Sequence, residues 1–280
     1  MDTLNITAAV IKLIANIRWQ NYFSITCPAY IELVREFYTT FKFTKPINFT
    51  LNSPGVVKFR LMGKDFKLSI TEFNIAFGFI TEEYAKSDEY LNSTCDFSEN
   101  FEPVRLYRNL STSDHYDPSK SKDSYLRDPV LKYIHRFLAF TFSGRKDSAG
   151  VLSKAEFYFL WCMQNDIKVN LGCWLASQFA SVLTNRRPLI LGSLITQLAV
   201  HEDLIDLENN DLHVACEMLP LDLDCLAGMG LIGQKKDVFY FYPPGPIMTR
   251  QQRKILDANN DDVVQNSGTA PSTSATPSQG

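Results

Sequence analysis

The sequence lacks any long uncharged apolar run. None of its hydrophobic stretches approaches the about 20 residues that a membrane-spanning helix requires. The N-terminal stretch also lacks the basic start of a signal peptide, and Lys12 interrupts its apolar residues, so it is typical of an amphipathic helix. We therefore expect a soluble intracellular protein, cytoplasmic or nuclear, without membrane contacts.

Closely spaced cysteines and histidines are also missing. The six cysteines include no C-x-x-C pair, and the four histidines include no H-x-x-x-H or H-E-x-x-H pair. His213-x-x-Cys216 matches no structural zinc pattern, and a zinc knuckle is absent. Cys162 and Cys173 stand among apolar helical residues, as reduced thiols in a reducing compartment do. The sequence predicts no metal site and no cofactor.

Two motifs match catalytic or cofactor patterns as strings, but their surroundings do not fit. Gly228, Gly230 and Gly233 follow the dinucleotide-binding spacing, yet a predicted helix precedes them and a predicted strand follows, which reverses the required order. Residues 147–150 read Asp-Ser-Ala-Gly, whereas an aspartic protease needs glycine directly after the Ser or Thr. We expect no catalytic residues, no small-molecule substrate and no enzymatic activity.

A basic excess is absent from the chain as a whole but present locally. Lys and Arg total 28 against 31 Asp and Glu, for a net charge of −3, so nucleic-acid binding would have to be local. Residues 100–154 hold ten basic residues against six acidic ones. Lys132, Arg136, Arg145 and Lys146 are the candidate phosphate-binding residues, with an ordinary solvated surface as the alternative.

The acidic residues concentrate further along the chain. Residues 188–234 hold eight Asp and Glu and no Lys or Arg. Two solvated helix faces explain such segregation. The alternative is self-association, in which the stretch from Glu202 to Asp211 of one copy meets the four candidate basic residues of the next copy.

Aromatic and apolar residues are plentiful. The chain has 20 Phe, 12 Tyr and 3 Trp, and 45% of it is hydrophobic, which supports a large packed core. Helical periodicity dominates, while residues 47–69 and the segment around 232–242 have strand patterns. The predicted fold is therefore mainly α, with a small hairpin or sheet at 47–69, a short C-terminal hairpin, and Trp161 and Trp174 in the core.

Helix starts are marked by local signals. Ser69 and Ser153 each precede a Glu at the spacing of a capping box, and Asp128 and Asn170 stand where side-chain caps belong. Pro103 opens a short helix candidate that ends at 110.

The predicted domain covers residues 1–246. It divides into candidate lobes 1–80 and 126–246, joined by a loop-rich segment 81–125. Residues 247–280 are polar and rich in Ser, Thr and Pro near their end, which predicts a disordered tail or linker.

A family resemblance rests on two segments. Residues 30–38 read YIELVREFY and are followed by INFTL and by VKFRLMGKDFKLSITEFNIAFGF; the second segment, at 170–204, reads NLGCWLASQFASVLTNRRPLILGSLITQLAVHEDL. Together they resemble the first-open-reading-frame proteins of plant Athila-type LTR retrotransposons and related plant transposon proteins, over about residues 20–246.

This resemblance implies a non-catalytic retrotransposon protein with a structural, capsid-like assembly role or a protein-interaction role. The alternative is a nucleic-acid-binding module of the element, or of a copy taken over by its host. The matching positions are apolar and aromatic rather than catalytic, so the family supplies no site residues to carry over. An active element, a degenerate copy and a fragment of a longer product are all compatible with the sequence.

Overall fold

Helices make up most of the structure, a computed structural model that describes residues 4–145, 147–185, 189–217, 221–236 and 238–259. The described residues contain twelve α-helices: α1 (Thr7–Asn16), α2 (Gln20–Phe23), α3 (Ile31–Thr40), α4 (Ile70–Ala76), α5 (Asp88–Leu91), α6 (Pro103–Leu110), α7 (Pro129–Thr141), α8 (Lys154–Gln164), α9 (Leu171–Thr184), α10 (Gly192–His201), α11 (Leu223–Gly228) and α12 (Arg250–Asn259). None of these helices combines the length and the apolar composition that a membrane crossing needs.

The strands are short and antiparallel. Among the described residues they are β1 (Ala29–Tyr30), β2 (Lys42–Phe43), β3 (Val57–Leu61), β4 (Lys64–Leu68), β5 (Val214–Cys216), β6 (Ile232–Lys235) and β7 (Val238–Phe241). They form a β2-β3-β4 sheet and two pairs, β1-β5 and β6-β7. The predicted mainly α fold with two small hairpins is confirmed.

The predicted caps are present at four helix starts. Ser69 and Ser153 form complete capping boxes with Glu72 and Glu156 at the starts of α4 and α8. The Asp128 side chain accepts a hydrogen bond from the backbone N–H of Val130, and Asn170 accepts one from Cys173. The α6 bounds also agree with the prediction from Pro103. The four capped helices, α4, α7, α8 and α9, start where an unpaired backbone N–H finds a side-chain acceptor nearby in the sequence.

The hairpin predicted within 47–69 is formed by β3 and β4. Met62 and Gly63 both have positive φ, 50° and 77°, as a two-residue hairpin turn requires. The burial of β3 alternates strictly, and Phe59 stacks on its cross-strand partner Phe66 at 4.8 Å. The strand pattern predicted from residue 47 onward is wrong at its start, because residues 47–51 lie in turns and irregular backbone.

The first part of the predicted disordered tail or linker contains a helix. Residues 250–259 form α12, which packs against β6. Asp257 of α12 accepts hydrogen bonds from the hydroxyls of Tyr240 and Tyr242. The rest of the predicted tail, 260–280, lies outside the described residues.

One cluster of buried side chains draws on both candidate lobes. Helix α1 packs against α8, α3 against α10, and α4 against α9. The segment 81–125 contributes buried aromatic residues to the same cluster, including Tyr90, Phe101 and Tyr107. The two-lobe division stays a prediction, but the helices on either side of this segment share a core.

The three tryptophans differ in burial. Trp19 is 2% exposed, and its indole N–H donates to the carbonyl of Val169 at 3.3 Å. Trp161 and Trp174, which we expected in the core, are only partly buried and pack against its edge. Trp19 therefore fills more interior volume than either of them.

We expect Trp19→Ala to lower the free energy of unfolding by about 3 to 5 kcal/mol, because it leaves a large cavity. Trp161→Ala should cost less, since solvent already reaches that indole. Urea titrations followed by circular dichroism measure both losses, and an equal loss in the two variants would contradict this assignment of the core.

Candidate functional site: a buried ionic cluster

Two of the candidate phosphate-binding residues lie inside the protein. Lys132 and Arg136 are on α7, with only 3% and 7% of each residue exposed. The Lys132 ammonium donates to the carbonyl of Tyr242 at 3.4 Å, and burial lowers the pKa of this lysine. The predicted basic face of α7 is therefore not a surface, because α7 is buried on most of its sides. Lys146 lies outside the described residues.

Arg136 pairs with a buried carboxylate from a preceding segment. Asp123 belongs to a 3-10 helix, and its Oδ2 lies 2.5 Å from Nε of Arg136. Its Oδ1 accepts a hydrogen bond from Nη2 of Arg136 at 3.1 Å. The backbone at Gly150 passes close to the Asp123–Arg136 pair, and a Cβ atom at this position would lie 2.8 Å from the same Nη2. A glycine at 150 thus leaves space for this pair.

His135 lies between two carboxylates. Its Nδ1 is 2.9 Å from Oδ2 of Asp123, and its Nε2 is 3.1 Å from Oε2 of Glu156. Burial lowers the pKa of His135, but the hydrogen bonds and charges of the two carboxylates outweigh it and raise the pKa to about 9. With a carboxylate at each ring nitrogen, both nitrogens donate, so His135 is an imidazolium at neutral pH.

Glu156 completes the cluster from the first turn of α8. Its carboxylate accepts hydrogen bonds from the backbone N–H of Ser153, at 3.2 Å, and from the Ser143 hydroxyl, at 2.5 Å. The guanidinium of Arg145 binds the same carboxylate. Burial raises the pKa of Glu156, but His135, Arg145 and Ser143 together lower it to about 2. Arg145, the third candidate, is therefore already paired within the chain.

The ionisable groups of this cluster are bonded mainly to one another. The side chains of Asp123, His135 and Glu156 are fully buried, and Arg136 and Arg145 neutralise the two carboxylates from either side. A histidine that donates from both nitrogens has no lone pair with which to accept a proton from a substrate. The cluster joins the 3-10 helix at 123, α7, the loop after α7 and the start of α8.

Away from the cluster, the described residues form an open surface cavity of about 370 Å³ beside Asp88, Glu89 and Lys168. No group of three or more His, Cys, Asp or Glu side chains in the described part of the chain is placed to hold a metal ion. A cavity of about 20 Å³ beside Trp19 and Asn74 has room for about one water molecule. Gly228 is the last residue of α11, Gly230 lies between the two elements and Gly233 lies in β6, so the helix precedes the strand, as predicted.

Comparison with known families identifies the chain. Residues 15–203, more than half of it, match the family described as "Putative plant retrotransposon-related domain". The chain belongs to this family. No curated protein and no solved structure matches it.

In this retrotransposon-related domain, the matched residues run from within α1 to just beyond α10 and include the whole ionic cluster. The C-terminal part, with α11, the β6-β7 pair and α12, lies beyond the match. The predicted kinship with plant retrotransposon proteins is confirmed at the level of this family.

Of the two carboxylates in the cluster, Asp123 and Glu156, only Glu156 is marked by a local sequence pattern. The capping-box spacing at Ser153 pointed to Glu156, although as a cap rather than as an ion-pair partner. Asp123 and His135 carry no comparable signal, because their contact depends on how the chain folds back between them. The ten basic residues of 100–154 indicated the charge but not its burial.

The ionic cluster predicts how stability depends on pH. The pKa of His135 is raised from 6.5 to about 9, so its contribution is complete below pH 6.5 and is lost as the pH rises through about 9. The pKa of Glu156 is lowered from 4.5 to about 2, so its contribution is complete above pH 4.5 and is lost as the pH falls through about 2. Stability from the cluster should therefore be greatest between pH 4.5 and 6.5.

We expect His135→Gln to lower the free energy of unfolding by about 3 kcal/mol at pH 6, because it leaves two buried carboxylates without their shared cation. The difference from the wild type should shrink toward pH 9. His115→Gln, at an exposed histidine, is the control. Urea titrations across this pH range measure the effect, and a pH-independent difference would refute the imidazolium assignment.

Proposed function

We propose that this retrotransposon-related domain is a non-catalytic structural or assembly domain of an Athila-type element, acting through protein–protein contacts. The observation that carries the proposal is the ionic cluster, whose ionisable groups are buried and bonded to one another. The resemblance at 30–79 and 170–204 supports the Athila-type assignment, since it lies in core-forming helices and strands. These features suit a domain that presents surfaces to other chains.

An exposed strand supports protein contacts. All three residues of β5, including Val214, are exposed, and in the described part of the chain β5 pairs with the two-residue β1. Its outer edge presents backbone N–H and C=O groups, which are the groups that pair when another chain adds a strand.

The acidic stretch offers a second contact surface. Glu208 and Asp211 are exposed beyond α10, on a segment without Lys or Arg. The head-to-tail contact predicted from the sequence used Lys132, Arg136 and Arg145. In the structure these three side chains form contacts within the chain. Exposed arginines of the same basic stretch remain for a neighbouring copy, namely Arg105, Arg108 and Arg127.

Self-association tests the assembly role. We expect light scattering after size exclusion to show a mass that rises with protein concentration at low salt and falls as salt screens the charges. Glu208→Lys with Asp211→Lys should weaken this association, whereas Glu82→Lys with Glu83→Lys, at exposed acids elsewhere, should not. A chain that stays monomeric at high concentration and low salt would contradict the proposal.

Nucleic-acid binding is the second candidate, and one contact favours it. The Arg127 guanidinium donates to the carbonyl of Asn109 at 2.8 Å, which places it at the end of α6. Arg105 and Arg108 are exposed on the same helix. Three exposed guanidinium groups near one short helix could contact phosphates of a flexible single strand.

Anisotropy of a labelled single-stranded RNA, titrated at several salt concentrations, tests this candidate. We expect Arg105→Ala with Arg108→Ala to weaken binding and to reduce the salt slope by about 0.7 for each phosphate that the variant no longer neutralises. Lys58→Ala with Lys67→Ala, on the exposed face of the β3-β4 hairpin, is the control of equal charge. Equal effects in the two double variants would indicate nonspecific attraction and remove α6 as the binding surface.

A further inference from the structure

Two cysteines far apart in the sequence are held side by side at the start of α9. The segment before Cys95 runs along residues 168–170, because the Thr94 N–H donates to the Lys168 carbonyl and the Asn170 N–H donates to the Thr94 carbonyl, both at 2.9 Å. Asn170 is the cap of α9, and Cys173 lies in that helix's first turn. The cap residue thus links the segment that carries Cys95 to the turn that carries Cys173.

A second anchor lies just after Cys95. The Phe97 ring contacts the ring of Trp174, the residue after Cys173, with the ring centroids 5.1 Å apart. Cys95 is therefore fixed on both sides to residues that flank Cys173. These contacts place the two thiols close enough for each to shift the pKa of the other, and both cysteines are free.

The two thiols of the pair ionise differently. Cys95 and the ammonium of Lys45 lower the pKa of Cys173, whereas burial and the Asp96 carboxylate oppose the shift. Cys173 and burial raise the pKa of the Cys95 thiol. Burial raises the pKa of the thiols of Cys27, Cys162 and Cys225. A thiolate is the form of cysteine that reacts with oxidants.

Access to the pair comes through Cys95. Cys173 is fully buried, but Cys95 is partly exposed in the segment between α5 and α6. Cys216 is the most exposed of the six cysteines and lies in β5, away from the start of α9 in the sequence. In the Cys95–Cys173 pair, one cysteine is partly exposed to solvent and the second lies in the adjacent first turn of α9.

We propose that Cys95 and Cys173 form an oxidation site that closes to a reversible disulfide when the oxidant is a peroxide. One sulfur attacks a peroxide oxygen, the O–O bond breaks, and a sulfenic acid and water form. The second sulfur then attacks the sulfenic sulfur, the S–O bond breaks, and a second water leaves with the remaining thiol proton. Two thiols are oxidised and one hydrogen peroxide is reduced to two waters.

The disulfide would join two parts of the molecule covalently. It would tie the segment between α5 and α6 to the first turn of α9, close to the contact between Asn74 and Asn170. Closing a loop of this length restricts the unfolded chain, so the oxidised protein should melt at a higher temperature than the reduced protein. This inference is independent of the assembly role.

Peptide mapping of the full-length protein tests the proposal. The reduced chain is treated with hydrogen peroxide, its remaining thiols are blocked with iodoacetamide, and it is digested without reductant for mass spectrometry. We expect the loss of two thiols per chain and a linked peptide pair that contains Cys95 and Cys173, which dithiothreitol separates. In denaturant the same treatment should give mixed pairs among the six cysteines.

Single variants locate the reaction. Cys95→Ser should abolish both the linked peptide and the rise in melting temperature, while Cys216→Ser should change neither. Because Cys95 is partly exposed, its serine variant is less prone to misfold than a variant at buried Cys173, and circular dichroism checks its fold. A native wild-type protein that links Cys95 to another cysteine, or that forms sulfinic acid at Cys95 without the disulfide, would overturn the proposal.

Discussion

Burying two carboxylates in a helical protein costs free energy unless cations lie against them. In this domain, His135 supplies the shared cation, because its two ring nitrogens bind Asp123 and Glu156 at once. Arg136 and Arg145 add a second cation to each carboxylate. The cluster fixes where the chain turns after α7 and how α8 begins, so the aromatic residues of α8 depend on it for their position in the core.

A second buried polar contact joins the earlier part of the chain to α9. The Asn74 amide donates to Asn170, and its oxygen accepts from the backbone N–H of Gly172 at 2.9 Å. A Cβ at 172 would lie 2.6 Å from the same amide, so glycine allows this close approach. The Asn170 side chain also caps α9. One side chain therefore serves helix initiation and long-range packing together.

Both polar arrangements lie within the part of the chain that matches the plant retrotransposon-related family. The exposed features are the edge of β5, the acidic segment after α10 and the arginines around α6. The proposed assembly role relies on such surfaces, whereas the proposed oxidation site at Cys95 lies where one surface segment meets the core.

The sequence alone determined the features that depend on neighbouring residues. Helix caps, the hairpin within 47–69 and the bounds of α6 follow from contacts within a few residues, so local spacing predicted them. Tertiary structure decided the rest. The burial of Lys132 and Arg136, the pairing of Cys95 with Cys173 and the packing of α12 depend on residues distant along the chain. Composition gives the charge and polarity of such residues, but only the folded chain sets their partners and their exposure.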